Sequence, residues 1–461
     1  MRTGHDSAPQ AAWQARLTPP AGVRDVADRL ERAGFETWCV GGAIRDAVLG
    51  RPSLDWDLAT AAHPGDVQRL FRRTVPKGVA FGTVGVFDRE GVLHEVTTFR
   101  RDVRTDGRHA EVEFGASLED DLARRDFTIN AVAFRPATGA LADPFDGLGD
   151  LARGVVRAVG DPPARMREDR LRALRAIRFA ARFDFAIEPA TWAAIVESAP
   201  HLGRLSPERV REELEKTMRQ VARPSWALER WREAGALAAL VPPLAAQPPA
   251  AFVAVDCLPM PTLERRPQRL WNRMAAPWLG LDRAVVERGL TALRCSKQEV
   301  RWAADLADRW QRLAPGLREA LAADVPPPDA VLRRWAATAG RTLAPAVLRL
   351  AAARFAAERL AAERAEGDPA VGEPAPSAHA VRGAYRRLVR VAYRDPIELA
   401  DLAVTGSDLA DAGVPPGPLV GTILRQLLDA VVDDPARNTS TWLLAEARRL
   451  AGGRGDGKGR S

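Results

Sequence analysis

The sequence predicts an α+β protein: a mixed-sheet head followed by an all-helical remainder. Three observations carry this. Between residues 21 and about 150, stretches of period two alternate with stretches of helical period. Beyond about 150 the strand signals stop. Long helical patterns then take over, among them "EDRLRALRAIRFAARF", "PERVREELEKTMRQV" and "APAVLRLAAARFAAERLAAERA".

In chain order, "VRDVADRLERAG" has helical spacing and a glycine stop. "TWCVGG" reads as a strand running into a turn, and "AIRDAVLG" as a short helix. "LDWDLAT" alternates strictly, and "GTVGVFDREGVLHEVTTFR" has the pattern of a hairpin. "EGDPAVGEPAPSA", residues 366–378, is a Pro- and Gly-rich linker. Residues 1–20 and 452–461 read as disordered ends.

Composition narrows the class. The 461 residues are 46 % hydrophobic and 28 % charged, as in an ordinary globular protein with room for sizeable cores. No stretch has the apolar length needed to cross a bilayer, and the N-terminal residues lack a signal-peptide core. Three widely spaced cysteines, Cys39, Cys257 and Cys295, argue against a disulfide framework and for a reducing cytoplasm. The net charge of +7 suits a polyanion. Arginine far outnumbers lysine, however, so the same charge also fits a bias in coding composition.

The chemistry concentrates in "VGGAIRDAVLGRPSLDWDLAT", residues 40–60. On a strand, Leu54, Trp56 and Leu58 share one face, and Asp55 and Asp57 share the other. Two carboxylates held together favour a neutralising cation, and hard oxygen ligands suit magnesium with substrate phosphates. Taken alone, D-x-D fits a solvated strand edge as well. Gly41 and Gly42, between strand and helix, allow backbone to approach a phosphate. Arg45 follows in the first turn. Glu95, in "LHEVTTF", is either a third site acid or a surface-strand acid.

These residues resemble the nucleotidyltransferase superfamily typified by DNA polymerase beta. More closely, the run resembles class II tRNA nucleotidyltransferases (CCA-adding enzymes) and the related bacterial poly(A) polymerases. "RRDFTINAVA" (124–133), "DPFDGLGDL" (143–151), "EDRLRALRAIRFA" (168–180) and "ERVREELEKTM" (208–218) continue the resemblance in order. "LAVTGSDLADAGVPPGPLVGTILRQLLDAV" (402–431) is similar to the family's tail. The implied division is a DNA polymerase beta-like head at 21–150, a neck at 151–220, a body at 221–365 and a tRNA-binding tail at 379–451.

The resemblance implies that Asp55 and Asp57 hold two magnesium ions, which serve transfer to an RNA 3′-hydroxyl. Gly42, Arg45 and Arg125 are then nucleotide contacts, and Asp126 and Asn130 orient the ribose or Arg125. For Asp126, a helix N-cap is an equal alternative. The implied reaction adds CCA to tRNA from CTP and ATP and releases pyrophosphate. A poly(A) polymerase or an enzyme adding only part of CCA are the alternatives within the family. No membrane or protein partner is implied. "FRRDVRTDGRHAEVEFG" (99–115) resembles the loop required for terminal A addition.

The fourth motif carries a chemical argument of its own. On a helix, Asp169 and Arg172 are neighbours three apart. Cytosine and adenine both present an amino donor beside a ring-nitrogen acceptor, whereas uracil and guanine reverse that order. A carboxylate and a guanidinium therefore select C and A. Arg175 and Arg178 are left for the triphosphate, as the resemblance implies, and Glu168 for orienting Arg172.

Overall fold

The computed structural model describes residues 13–51, 53, 55–105, 110–261, 267–364 and 375–452. The chain divides into two units, one made of residues up to Glu213 together with Arg230–Leu240, the other of Leu214–Glu229 and the residues from Val241 onward.

The first unit is built on a seven-stranded mixed sheet. Its strands are β1 (Thr37–Val40), β2 (Asp57–Thr60), β3 (Thr74–Gly78), β4 (Thr83–Phe87) and β5 (Leu93–Thr98), with two more described below. β4 and β5 form the expected antiparallel hairpin, with Val84 opposite Val96. β6 (Arg100–Thr105) and β7 (Ala110–Phe114) pair as a two-stranded sheet of their own. Residues 106–109, in the segment expected to serve A addition, lie outside the described residues. β8 (Ala133–Arg135) and β9 (Ala140–Ala142) complete the large sheet, in the order β3-β4-β5-β2-β1-β8-β9.

One pairing makes the sheet mixed. β2 and β5 run parallel, with Leu58 beside Val96, while every other neighbour is antiparallel. The centre of the sheet buries Trp38, Val40 and Ala59 in one cluster with Phe99, Leu122 and Ala133. Each such side chain contributes roughly 2–3 kcal/mol when fully buried if large, and less for alanine. The central strands are thereby the rigid base for whatever projects from their ends.

Helices flank the sheet: α1 (Ala21–Arg32), α2 (Gly42–Val48), α3 (Pro64–Leu70), α4 (Leu118–Ala123) and α5 (Gly147–Arg153). α4 starts at a capping box, Ser117 accepting from the Asp120 N–H. α5 is fixed to the second motif through Gly147, where a Cβ would stand 2.1 Å from the Thr128 carbonyl oxygen. Asp150, fully buried, accepts from the Thr128 hydroxyl at 2.6 Å.

Residues 13–20 differ from the expectation of a disordered end. Leu17 is buried, and Arg16 donates to the Val48 carbonyl at 2.8 Å. Apolar burial at one residue and a guanidinium bond at its neighbour bring this stretch onto the head.

After the sheet come α6 (Pro162–Glu168), α7 (Leu171–Phe183), α8 (Pro189–Ser198) and α9 (Pro207–Gln220). A short parallel pair, Val155–Val156 with Ala186–Ile187, is the one strand feature beyond residue 150 among the described residues. The second unit is helical throughout its described residues. Its C-terminal helices close on Leu409, Ile423, Leu427, Val431 and Leu443. No described helix is long and apolar enough to cross a membrane.

Candidate active site

The carboxylates sit where β1 and β2 meet. Val40, the last residue of β1, lies opposite Asp57, the first residue of β2. Gly41 then turns the chain into α2 with φ +79°, a value in the left-handed region that L side chains resist. A Cβ there would also approach Arg125 Nη1 to 3.0 Å. Glycine is thus required twice over, by conformation and by contact.

The D-x-D run differs from its expected form. Only Asp57 belongs to the strand; Asp55 precedes it and is exposed. Between them Trp56 is 4 % exposed and donates its indole N–H to the Ser53 carbonyl at 2.9 Å. The buried indole, rather than strand pleating, fixes the direction of both acids. Their charges still meet. Burial first, then Asp55 and Glu95, push the Asp57 carboxyl up to about 6, against the pull of Arg125 and Lys77.

Glu95 comes alongside because β5 runs parallel to β2. It precedes Val96 as Asp57 precedes Leu58 in the paired register. Its carboxylate is 2.8 Å from Lys77 Nζ on β3. That hydrogen bond raises the Lys77 ammonium above its ordinary value. Lys77 was missing from the sequence reading. The one available signal was rarity, since the chain has four lysines.

Arg125 is held by Asp121, so of the two tasks expected of Asp126 and Asn130, the ribose or Arg125, orienting Arg125 falls to Asp121. Asp121, on α4, is fully buried and bridges two arginines, Arg124 at 2.8 Å and Arg125 at 3.0 Å. Although burial favours its neutral form, these two guanidiniums hold its carboxyl below the ordinary range. The Nε of Arg125 is buried without a hydrogen-bond partner. A buried, unspent donor beside clustered carboxylates fits an anionic substrate.

The expected template helix is broken. α6 ends at Glu168, Asp169 is extended (φ −145°, ψ 103°), and α7 begins at Leu171. Asp169 and Arg172 therefore flank a helix junction instead of lying along one helix. The break has a cause in the side chain, because Asp169 Oδ1 accepts from the Leu171 N–H at 3.0 Å. Aspartate competes with helical hydrogen bonding in this way and favours the start of a helix. Asp169 Oδ2 accepts from Arg209 Nη2, on α9, at 2.7 Å.

Arg172 is 9 % exposed. Its Nη1 donates to Glu168 at 2.8 Å, the contact expected from the sequence, and to the Arg165 carbonyl at 3.2 Å. Its Nη2 donates to the Arg124 carbonyl at 2.9 Å. Arg124 adjoins Arg125, so one chain of bonds joins the junction to the carboxylate cluster.

The other expected nucleotide contacts are bonded to groups of the protein itself. Arg175 is bidentate on Asp126 Oδ2 at 2.7 and 2.9 Å. Asp126 Oδ1 accepts from Asn130, and Asn130 Oδ1 accepts from Arg45 Nη1 at 2.6 Å. Arg45 is 4 % exposed and lies over the Phe179 and Phe183 rings. Arg178, 3 % exposed, pairs with buried Glu213. Arg45 and Arg178 therefore brace α2 and α7 rather than present charge to solvent. Gly42 allows this, since a Cβ there would stand 3.3 Å from Arg45 Nη2.

Asp126→Ala is expected to strand the Arg175 guanidinium and to lower the unfolding free energy by roughly 3 kcal/mol. Urea midpoints measure it; a change within about 0.5 kcal/mol would show that the pair does not support the fold.

Among the described residues, no group of three or more His, Cys, Asp or Glu side chains converges tightly enough to hold a metal ion by itself. Asp55 and Asp57 offer two carboxylates with excess negative charge, a donor set that suits a magnesium ion completed by water and phosphate oxygens.

Comparison with known proteins matches this geometry to a family. Residues 37–157 match the poly A polymerase head domain, 184–247 a probable RNA- and SrmB-binding site of polymerase A, and 385–447 a putative tRNA nucleotidyltransferase domain 2. A CCA-adding enzyme of Limosilactobacillus fermentum is 35 % identical over 436 residues, which cover 93 % of this chain and 96 % of that protein. The chain belongs to the class II CCA-adding enzyme and poly(A) polymerase family. A second CCA-adding enzyme, of Lacticaseibacillus paracasei, is 34 % identical over 92 % of this chain and 94 % of its own length. The crystal structure of the Bacillus stearothermophilus CCA-adding enzyme in complex with CTP superposes with a TM-score of 0.70 at 32 % identity. It covers 95 % of this chain and all of that one. The Thermotoga maritima CCA-adding enzyme complexed with tRNA shares the fold, with a TM-score of 0.63 at 21 % identity and coverage of 95 % of this chain and 98 % of that one. CCA-adding enzymes are nucleotidyltransferases, a family that typically uses a divalent metal.

Proposed function

We propose that this chain adds C, C and A without a nucleic-acid template to the 3′ ends of tRNA, using CTP and ATP and releasing pyrophosphate. The observation that carries this reading is likeness to CCA-adding enzymes along nearly the whole chain, with 93 % of it aligned to one such relative. The head at 21–150 supplies the chemistry, the neck at 151–220 the nucleotide template, the body spans 221–365, and the tail at 379–451 grips tRNA. The proposed setting is the cytoplasm, where bacterial CCA-adding enzymes work.

The site residues divide the work. Asp55 and Asp57 hold magnesium, which when bound supplies charge neutralisation at the transferred phosphoryl group. Glu95, tied to Lys77, fixes the electrostatic boundary on the β5 side. Arg125 offers its unspent Nε to the nucleotide. Asp169 and Arg172 read the base, and Arg175, Asp126, Asn130 and Arg45 keep the surrounding backbone in register.

The deciding experiment incubates purified protein with tRNAs ending before, within and after CC, supplying one labelled nucleotide at a time. Addition of C only to ends lacking it, followed by a single A, supports the reading. Unlimited A addition would identify a poly(A) polymerase, and A addition alone an enzyme completing CC ends.

The metal assignment has a pH signature. The Asp57 carboxyl titrates near 6 in the fold, against an ordinary 3.8. A raised folded value makes protonation stabilising: the contribution is complete below the ordinary value and is lost as pH rises through about 6. A divalent cation relieves the repulsion that then remains. The magnesium-induced rise in melting temperature is expected to be larger at about pH 7.5 than at about pH 5. Equal shifts at both values would remove Asp57 from the metal site.

A further inference from the structure

A cavity of about 510 Å³ lies within the helical unit. It is lined from the helices Pro267–Ala275, Lys297–Ala322, Ala344–Arg364 and Ala378–Arg394. That volume falls in the range of small-molecule sites. Its walls are unusual for this chain. The protein has two tyrosines, Tyr385 and Tyr393, and both line it together with Trp302. Tyr393 is 58 % exposed, a large aromatic surface left uncovered.

The charge is equally distinctive. Arg349 lies 5.3 Å from the centre of the Tyr385 ring and donates to its hydroxyl. Among the described residues it has no carboxylate partner, and no Asp or Glu lines the cavity. Some other arginines of the same helices are paired with acids, Arg318 with Glu358 and Arg387 with Asp329. An arginine that served packing alone would gain from such an acid. Here the guanidinium is stacked, oriented and left with donors for an anion. Asn272, 4 % exposed, accepts from the Trp302 indole at 3.1 Å and so fixes the ring that faces the cavity.

We propose that this cavity takes a nucleoside phosphate, its base against the Tyr393 and Trp302 rings and its phosphate on Arg349. Stacking on aromatic faces tolerates any base, and a planar guanidinium suits phosphate oxygens. The assignment rests on the proposed function, which brings two sources of this chemistry to the protein: a nucleotide of bound tRNA and a free nucleoside triphosphate. It lies in a different unit from the carboxylate cluster and is a separate site.

The test uses the full-length protein and the variants Tyr393→Ala, Arg349→Met and Tyr393→Phe. Equilibrium dialysis with labelled ATP counts sites, and filter binding with tRNA measures affinity. If the ligand is free nucleotide, the wild type binds two ATP and the first two variants bind one. If it is a tRNA nucleotide, the tRNA dissociation constant rises about five- to tenfold in those variants. Tyr393→Phe, which keeps the ring, retains the wild-type value in either case. Wild-type ATP stoichiometry together with wild-type tRNA affinity in both disruptive variants would overturn the proposal. If Arg349→Met fails to fold, the solvent-facing Tyr393→Ala decides alone. Failure of CCA addition by the wild type would refute the proposed function but leave the ATP count readable.

Discussion

Asp57→Ala is expected to lower kcat/KM for nucleotide incorporation by about 10³-fold or more, the several kcal/mol that a metal supplies to a charged transition state. Asp55→Ala should fall comparably. The two losses have different companions, because the acids sit differently. Asp55 is exposed, so its removal leaves the fold untouched. Asp57 is half-buried, opposite Val40, and repelled by Asp55 and Glu95. Removing its charge relieves that repulsion. Asp57→Asn, which keeps the shape, should therefore melt no lower than the wild type in metal-free buffer near neutral pH while being as inactive as the alanine variant. Single-turnover incorporation of labelled CTP measures the chemistry, and thermal melting measures the fold. Retained activity in Asp57→Asn, or a loss of folding that tracks the loss of activity, would sink the assignment.

The parts of this architecture legible in the sequence are those with a local cause. In the β4–β5 hairpin, β5 showed because burial alternates along Leu93–Thr98, whereas β4 buries three residues in a row. β8 did not show, since "AVAF" is continuously apolar and carries no period. The same division holds in the site. Gly41 and the two aspartates were readable from local pattern, the glycine between strand and helix and the acids two residues apart. Lys77 and Arg209 were not, because their partners Glu95 and Asp169 are 18 and 40 residues away, and nothing in a single sequence pairs them.

The burial of Arg45 and Arg178 was not legible for a related reason. Helical periodicity puts a charged side chain outside by default. What brings these two inside is an arrangement no local pattern encodes: Asn130 and two phenylalanine rings for Arg45, buried Glu213 for Arg178. The break at Asp169 was hidden by continuous helical spacing from 168 to 180, although aspartate before a helix start is a recognised competitor for backbone bonds.

We expect Asp169 and Arg172 to set the base preference, because each keeps unspent hydrogen-bonding capacity at the junction. The Asp169 carboxylate accepts one bond on each oxygen, from Leu171 and Arg209, out of about four available. Arg172 spends three of its roughly five N–H donors, on Glu168, Arg165 and Arg124, which leaves Nε and one Nη2 proton. An acceptor and a donor remain, the pair needed to meet the amino group and ring nitrogen of cytosine or adenine. Uracil would set a carbonyl against the carboxylate and an N–H against the guanidinium.

Asp169→Ala is therefore expected to raise UTP incorporation relative to CTP by about one to two decades, the roughly 1.5–3 kcal/mol of a charged hydrogen bond. Arg172→Ala should weaken CTP and ATP alike. It should also slow transfer of both, because the Arg124 carbonyl loses its tie and Arg125 is the next residue. Incorporation of each of the four triphosphates, measured one at a time as kcat/KM, separates these effects, and tRNA affinity should stay within about threefold of the wild type. Unchanged preference for C and A in both variants would show that Asp169 serves only as the partner of Arg209 and that the base is read elsewhere.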